Sequence, residues 1–189
     1  MFHIAKPGFA EQTINKSRFV AVAEHCLTER DVMTLLRRLA AEHVHAHHLV
    51  FAYKIQNPQG GFSQRFHDAG EPSGTAGKPI LQYIEGRGLV NVCVAVIRYF
   101  GGVKLGTGGL ARAYGGTAKQ VLDAAVIVPF VEMRQIEMVL DYARLDSFTR
   151  ELEKLNGLVL DKHFDQRVTL MVSVPAQDLA ALLNRFPQT

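Results

Sequence analysis

Tryptophan is absent from this chain, cysteine occurs twice, and past Gly116 glycine all but disappears. Each shortage excludes something. With only Cys26, beside a helix start, and Cys93, inside an apolar strand, a disulfide scaffold is excluded and reduced thiols in a cytoplasmic protein are expected. No apolar run approaches the roughly eighteen residues of a membrane helix, and no basic stretch leads into an apolar one near Met1, so neither a span nor a signal peptide is expected. Neither sign of charge dominates. The 21 basic and 18 acidic residues leave a formal net charge of +3 and a pI near 9.0, which suits a polyanion partner without demanding one. The chain is 48% apolar and 21% charged, an ordinary globular balance, and its 189 residues suffice for one large domain or two small ones.

What is there is concentrated in the middle. Fourteen of the sixteen glycines lie between Gly60 and Gly116, so one region needs backbone that turns sharply or approaches something closely. Two stretches dominate it, Asp68 to Leu81 (DAGEPSGTAGKPIL) and Arg98 to Gly116 (RYFGGVKLGTGGLARAYGG). The second follows Val90 to Tyr99, a nearly continuous apolar and β-branched run that reads as a strand buried on both faces, with Arg98 at its solvent end. After the loop, Thr107 is placed to cap a helix whose apolar positions are Leu110, Tyr114, Ala118, Val121, Leu122 and Ala125. Strand, glycine loop and helix N-terminus offer free N–H groups to an anion such as phosphate. The dipole alone contributes about 0.3–1 kcal/mol when exposed, so Lys104 and Arg112 must carry most of the affinity.

Two familiar phosphate motifs fail on inspection. Gly106 is followed by Thr107 without the lysine of a P-loop, and Gly77-Lys78 is followed by Pro79 where Ser or Thr would hold magnesium. Gly106, Gly108 and Ala111 match G-x-G-x-x-A, but Asp123, where a ribose-binding acid would be sought, falls inside the helix.

The ordered pair GEPSGTAGKP and RYFGGVKLGTGGLARAYG closely resembles the IMPACT/YigZ family, and Lys16 to Phe19 and His48 to Tyr53 resemble two further family blocks. Leu49 and Val50 depart from that pattern, in which a polar residue or His is often followed by Cys, and Ala111 replaces a usual Val. The resemblance implies an α+β chain. Its N-terminal domain, over residues 1–132, would be like the fourth domain of elongation factor G (ribosomal-protein S5 domain 2-like). Its C-terminal domain, over residues 133–189, would be ferredoxin-like βαββα lacking the last strand. Eukaryotic relatives act in translational control, interfering with activation of a stress kinase through its ribosome-associated activator. The resemblance therefore implies a non-enzymatic RNA- or ribosome-associated factor in translation or stress response, with a protein partner in translational control as a further expectation. Arg98, Lys104, Arg112 and Lys78 would meet phosphate, with Gly101, Gly102, Gly106, Thr107, Gly108 and Gly109 forming the loop. No cofactor is expected. A protein-interaction module is an alternative. So is a phosphotransferase or hydrolase that binds nucleotide at Gly106 to Leu110, with Asp68 or Glu71 on magnesium.

Elsewhere, residues Thr13 to Ala23 alternate as one or two strands, and Thr28 to Asp31 opens a helix with a capping box and the stripe Val32, Leu35, Leu36, Leu39 and Ala40. Leu49 to Ile55 and Phe62 to His67 are expected strands across a turn at Asn57 to Gly61, and a short helix spans Lys78 to Gly86. After Val131 the pattern is strand Ile136 to Leu140, a helix striped by Leu145, Phe148, Leu152 and Leu155 and stopped at Asn156-Gly157, and strands Leu158 to Phe164 and Val168 to Val174. A last helix starts at Pro175, with Leu179, Leu182, Leu183 and Phe186 inward.

His43, His45, His47 and His48 invite a metal reading, but they cross from a helix end into a loop and point in different directions, so no metal is expected. Asp68, Glu71 and Ser73 are catalytic candidates: two carboxylates for acid–base work, or a Ser73 nucleophile with His48 as base. In the plainer account, Gly70, Glu71, Pro72, Ser73, Gly74, Thr75, Ala76 and Gly77 form a structural loop. Ser73 and Thr75 then cap the helix and Glu71 accepts backbone N–H groups.

Overall fold

The computed structural model describes residues 1–57 and 61–187. They fall into two compact units, Met1–Phe130 and Val131–Thr189. The first contains, in chain order, β1 (Phe2–Lys6), β2 (Gly8–Ile14), β3 (Ser17–His25), α1 (Glu29–Glu42), β4 (His48–Gln56), β5 (Phe62–His67), α2 (Gly77–Gly86), β6 (Val92–Tyr99), α3 (Gly106–Ala124) and β7 (Val126–Pro129). The turn expected over Asn57 to Gly61 falls largely on residues 58–60, outside the described residues.

A five-stranded antiparallel sheet in the order β2-β3-β6-β4-β5 forms the middle layer. Its central strand explains the unbroken apolar run. Val92, Val94 and Val96 face one way, against Ile80 and Ile84 of α2 and Leu110, Ala118 and Leu122 of α3. Cys93, Ala95 and Ile97 face the other way, against Val32, Leu35, Leu36 and Leu39 of α1. A strand covered on both sides needs no polar face. It starts at Val92 rather than Val90 because Asn91 adopts φ 54°, its side chain accepting from the Gln56 N–H at 2.9 Å.

Local chemistry fixes the borders. Asn15 and Lys16, at φ 45° and 65°, make the two-residue turn joining β2 to β3. The Thr28 hydroxyl accepts from the Asp31 N–H at 3.2 Å, while the Asp31 carboxylate accepts from the Thr28 N–H at 2.9 Å, closing the expected capping box. β1 and β7 pair as a separate two-stranded sheet that the sequence reading did not anticipate. β1 sends Ile4, 2% exposed, into the core.

The second unit runs β8 (Met133–Leu140), α4 (Tyr142–Lys154), β9 (Leu158–Phe164), β10 (Val168–Pro175) and α5 (Leu179–Arg185). Its antiparallel sheet has the order β8-β10-β9, the ferredoxin-like arrangement without a fourth strand among the described residues. Met138, Leu140, Leu170 and Val172 meet Phe148 and Leu152 of α4 and Leu182 of α5. Asn156 takes φ 57° and the Gly157 N–H donates to the Leu152 carbonyl at 2.8 Å, stopping α4 where expected. Pro175 does not start the last helix. It pairs with Met133 at the end of β10, and α5 begins at Leu179.

In the first unit, the loop after β6 packs onto the β2–β3 turn so tightly that a Cβ at Gly101 would overlap the Lys16 carbonyl. Backbone cannot rotate away as a side chain can. Gly101→Ala is therefore expected to destabilise the protein by about 1–3 kcal/mol, read from chemical denaturation; an unchanged midpoint would refute this contact.

Candidate functional site

Between β5 and α2 the first glycine motif folds back on itself, with Ala69, Gly70 and Gly74 at positive φ. Its centre is Asp68. The carboxylate accepts N–H groups from Gly74 at 2.8 Å, Ala76 at 3.1 Å and Gly77 at 2.8 Å, so Asp68 holds the start of α2. This corrects the expectation that Ser73 and Thr75 cap that helix. The Thr75 hydroxyl donates to the Pro72 carbonyl at 2.6 Å, and Ser73 is exposed.

Glu71 reaches across to the second motif instead of binding its own loop. One of its oxygens accepts from Arg98 Nη1 at 2.6 Å and from the Tyr114 hydroxyl at 2.8 Å. Both partners of the ion pair have side chains only 5% exposed. Arg98 is therefore no solvent-facing strand end. It continues the parity of Val92, Val94 and Val96, and so points to the side covered by α2 and α3. Its Nη2 also donates to Ser17 Oγ at 3.2 Å, and its guanidinium lies 5.5 Å from the Phe19 ring centre and 5.3 Å from that of Phe100. Burial first, and then the hydrogen bond to Glu71, push the Tyr114 hydroxyl far above its ordinary range, keeping it a donor.

His48 closes the network from β4. Its Nδ1 lies 2.9 Å from the Ala69 carbonyl and its Nε2 3.8 Å from Glu71 Oε1. A carbonyl can only accept, so Nδ1 carries a proton there, and in the Nδ1–H tautomer it is Nε2, facing the cavity, that accepts. The neighbouring histidines turn elsewhere. His43 meets the Tyr99 hydroxyl, and His47 accepts from the Phe100 N–H. Among the described residues no three His, Cys, Asp or Glu side chains converge as metal ligands.

Above this network lies a cavity of about 460 Å³. Its polar lining is His48, Glu71, Arg98, Lys104, Gly106 and Thr107; Pro72, Phe100, Leu105 and Leu110 supply apolar wall. α3 begins at Gly106, φ 69°, and no side chain caps it. Thr107 is thus a first-turn residue and not the cap. The N–H groups of Gly106, Thr107 and Gly108 are left without an intrahelical carbonyl, since the first intrahelical bond runs from Gly109 to the carbonyl of Leu105 at the N-cap. Gly102, at φ 85°, makes the bend that brings Lys104 there. Arg112 is exposed beside a separate cavity of about 330 Å³ with Tyr83 and Gly115. Lys78 is exposed and lines neither cavity.

The structure thus gathers His48, Glu71, Arg98 and Lys104, and it leaves Ser73, Lys78 and Arg112 outside. Glu71 and Asp68 are both engaged by donors within the fold, which removes them as free magnesium ligands. Tyr114, Ser17 and Phe100 escaped the sequence reading as site residues. Tyr114 carried the one usable signal, a hydroxyl on an otherwise apolar helix stripe. Both thiols are buried and lie outside the cavity lining; burial pushes Cys26 up to about 12 and Cys93 well above its usual range.

A three-layer α+β unit carrying two interlocked glycine motifs, with a separate ferredoxin-like unit, defines a class of protein. The Impact N-terminal domain model matches residues 15–122, and a domain of unknown function (DUF1949) matches residues 138–188. IMPACT family member YvyE of Bacillus subtilis is 34% identical over 180 residues, spanning 95% of this chain and 82% of that protein. IMPACT family member YigZ of Escherichia coli is 32% identical over 176 residues, spanning 93% and 86%. A solved structure described as a hypothetical protein aligns with a TM-score of 0.71 at 30% identity, covering 97% of this chain and 89% of that one. This chain belongs to the IMPACT family. No helix among the described residues is long and apolar enough to cross a membrane.

Removing one member of a buried ion pair strands the other. Glu71→Ala is expected to cost about 3–5 kcal/mol, and the double variant Glu71→Ala with Arg98→Met to recover much of that, both measured by urea denaturation. A single-variant loss below about 1 kcal/mol would show that Arg98 does not depend on Glu71.

Proposed function

We propose that this chain is a cytoplasmic, non-enzymatic RNA- or ribosome-associated factor in translational regulation, and that the cavity between its glycine motifs is where it takes RNA. The carrying observation is one wall of that cavity. Lys104 and the uncapped first turn of α3 stand beside Phe100, which is 39% exposed. A cation and helix N–H groups suit phosphate, and an exposed ring suits a base, the combination by which single strands are bound. Arg98 contributes differently from what the sequence suggested: neutralised by Glu71, it braces Phe100 from below rather than meeting phosphate itself. The small excess of basic residues is compatible with this partner. Translational control comes from the family resemblance, and in this cavity Glu71 is already engaged by Arg98 and Tyr114 rather than free for a metal.

RNA affinity is expected to fall with salt. Lys104→Ala should weaken it and reduce the slope of log affinity against log salt by about one contact, while Arg112→Ala should change it less. Fluorescence anisotropy with a labelled RNA containing a single-stranded loop measures both. An unchanged slope for Lys104→Ala removes that lysine from the phosphate contact. Thermal stabilisation by ATP with magnesium, without RNA binding, would favour a nucleotide enzyme.

A further inference from the structure

The cavity is chemically graded, and its grading selects a ligand. Lys104 and the first turn of α3 form a cationic end. His48 Nε2 and Glu71 form an acceptor end, with the apolar wall of Pro72, Phe100 and Leu105 in the same lining. At the acceptor end Glu71 Oε1 already takes Arg98 and Tyr114, and His48 Nε2 is the group with no donor among the described residues. His48 uses its ring proton on the Ala69 carbonyl, and at 3.8 Å from another acceptor its Nε2 finds no hydrogen bond in Glu71. A phosphate would be repelled there, whereas a hydroxyl would be welcomed. Arg98, 4% exposed and part of the same lining, spends Nη1 on Glu71 and Nη2 on Ser17, so it adds no free donor to this end. A volume of about 460 Å³ lies within the range that encloses one small molecule, and it is too small for stacked base pairs.

Resting on the reading of this cavity as an RNA site, we infer that it holds one unpaired ribonucleotide. The phosphate lies at Lys104 and the α3 N-terminus, the base lies against Phe100, and the ribose 2′-hydroxyl donates to His48 Nε2. The 2′-hydroxyl is the group that separates RNA from DNA at a single site. His48 is then the residue that sets sugar preference, acting as acceptor only.

The test compares the full-length chain binding single-stranded oligouridylate, the matching oligodeoxyuridylate and the 2′-O-methyl oligomer, at one salt concentration. RNA is expected to bind roughly three- to tenfold more tightly than the other two, the worth of one hydrogen bond. His48→Ala should bring RNA down to the level of DNA and leave DNA unchanged. His48→Gln, which keeps an acceptor, should restore part of the preference. Phe100→Ala should weaken all three oligomers by about tenfold. Should His48→Ala unfold the chain, the Phe100→Ala variant and the three-way comparison with unaltered protein still decide the matter. Equal affinity for the three oligomers, or an equal loss on all three with His48→Ala, overturns the assignment while leaving salt-dependent RNA binding standing. Saturable binding of UMP that shifts the His48 and Phe100 resonances, with no binding of any oligomer, supports the nucleotide pocket and overturns the RNA reading. Binding of none of these probes overturns both.

Discussion

The Arg98–Glu71 pair is the interaction on which the rest of the N-terminal unit depends. It joins the end of the central strand to the loop ahead of α2, and Tyr114 and Ser17 tie α3 and β3 to the same two charges. Burying a guanidinium and a carboxylate together is a poor route to net stability, since desolvation offsets most of their attraction. What it does supply is a single arrangement: a shifted loop would leave a charge stranded under the sheet. The same pair holds the floor of the cavity and fixes Phe100 above it. Fold and candidate site are therefore one construction, and the glycines around it are the means by which backbone gets close enough.

Much of this was legible in the sequence, and the reasons are specific. The apolar strand expected over Val90 to Tyr99, present from Val92, the capping box at Thr28 and Asp31, and the stop at Asn156-Gly157 each rest on a local rule. The family motifs gave the fold of both units. What failed was long-range. A charge ending an apolar strand usually faces water, which suggests a solvent edge for Arg98, although strand parity sets it on the same side as Val94 and Val96. Asp68 looks like an acid–base candidate in the sequence because nothing local shows that three N–H groups converge on it. Thr107 has the identity of a cap but lies two positions too late, with Gly106 making the turn. β1 and β7 are short, and they pair across more than a hundred residues, beyond any local pattern.

The candidate site was half visible for a related reason. Lys104 and the start of α3 suit an anion through glycine spacing, which is local, and belong to the proposed site for that reason. His48, Phe100 and Tyr114 join it only through the sheet and helix packing. Their relation is a consequence of register: His48 pairs directly with Arg98 across β4 and β6. Arg112 and Lys78 share the motifs yet line a different surface or none: Arg112 lies beside Tyr83 and Gly115, and Lys78 is exposed in the first turn of α2.

The central claim is that the two glycine motifs form one ligand cavity above a buried ion pair. Amide chemical-shift mapping of the full chain with single-stranded RNA tests it most directly. The account predicts that the largest changes fall on Phe100 to Gly109, on His48 and on the loop around Glu71. Changes confined to residues 131–187, or spread over exposed lysines and arginines without those three segments, would contradict it.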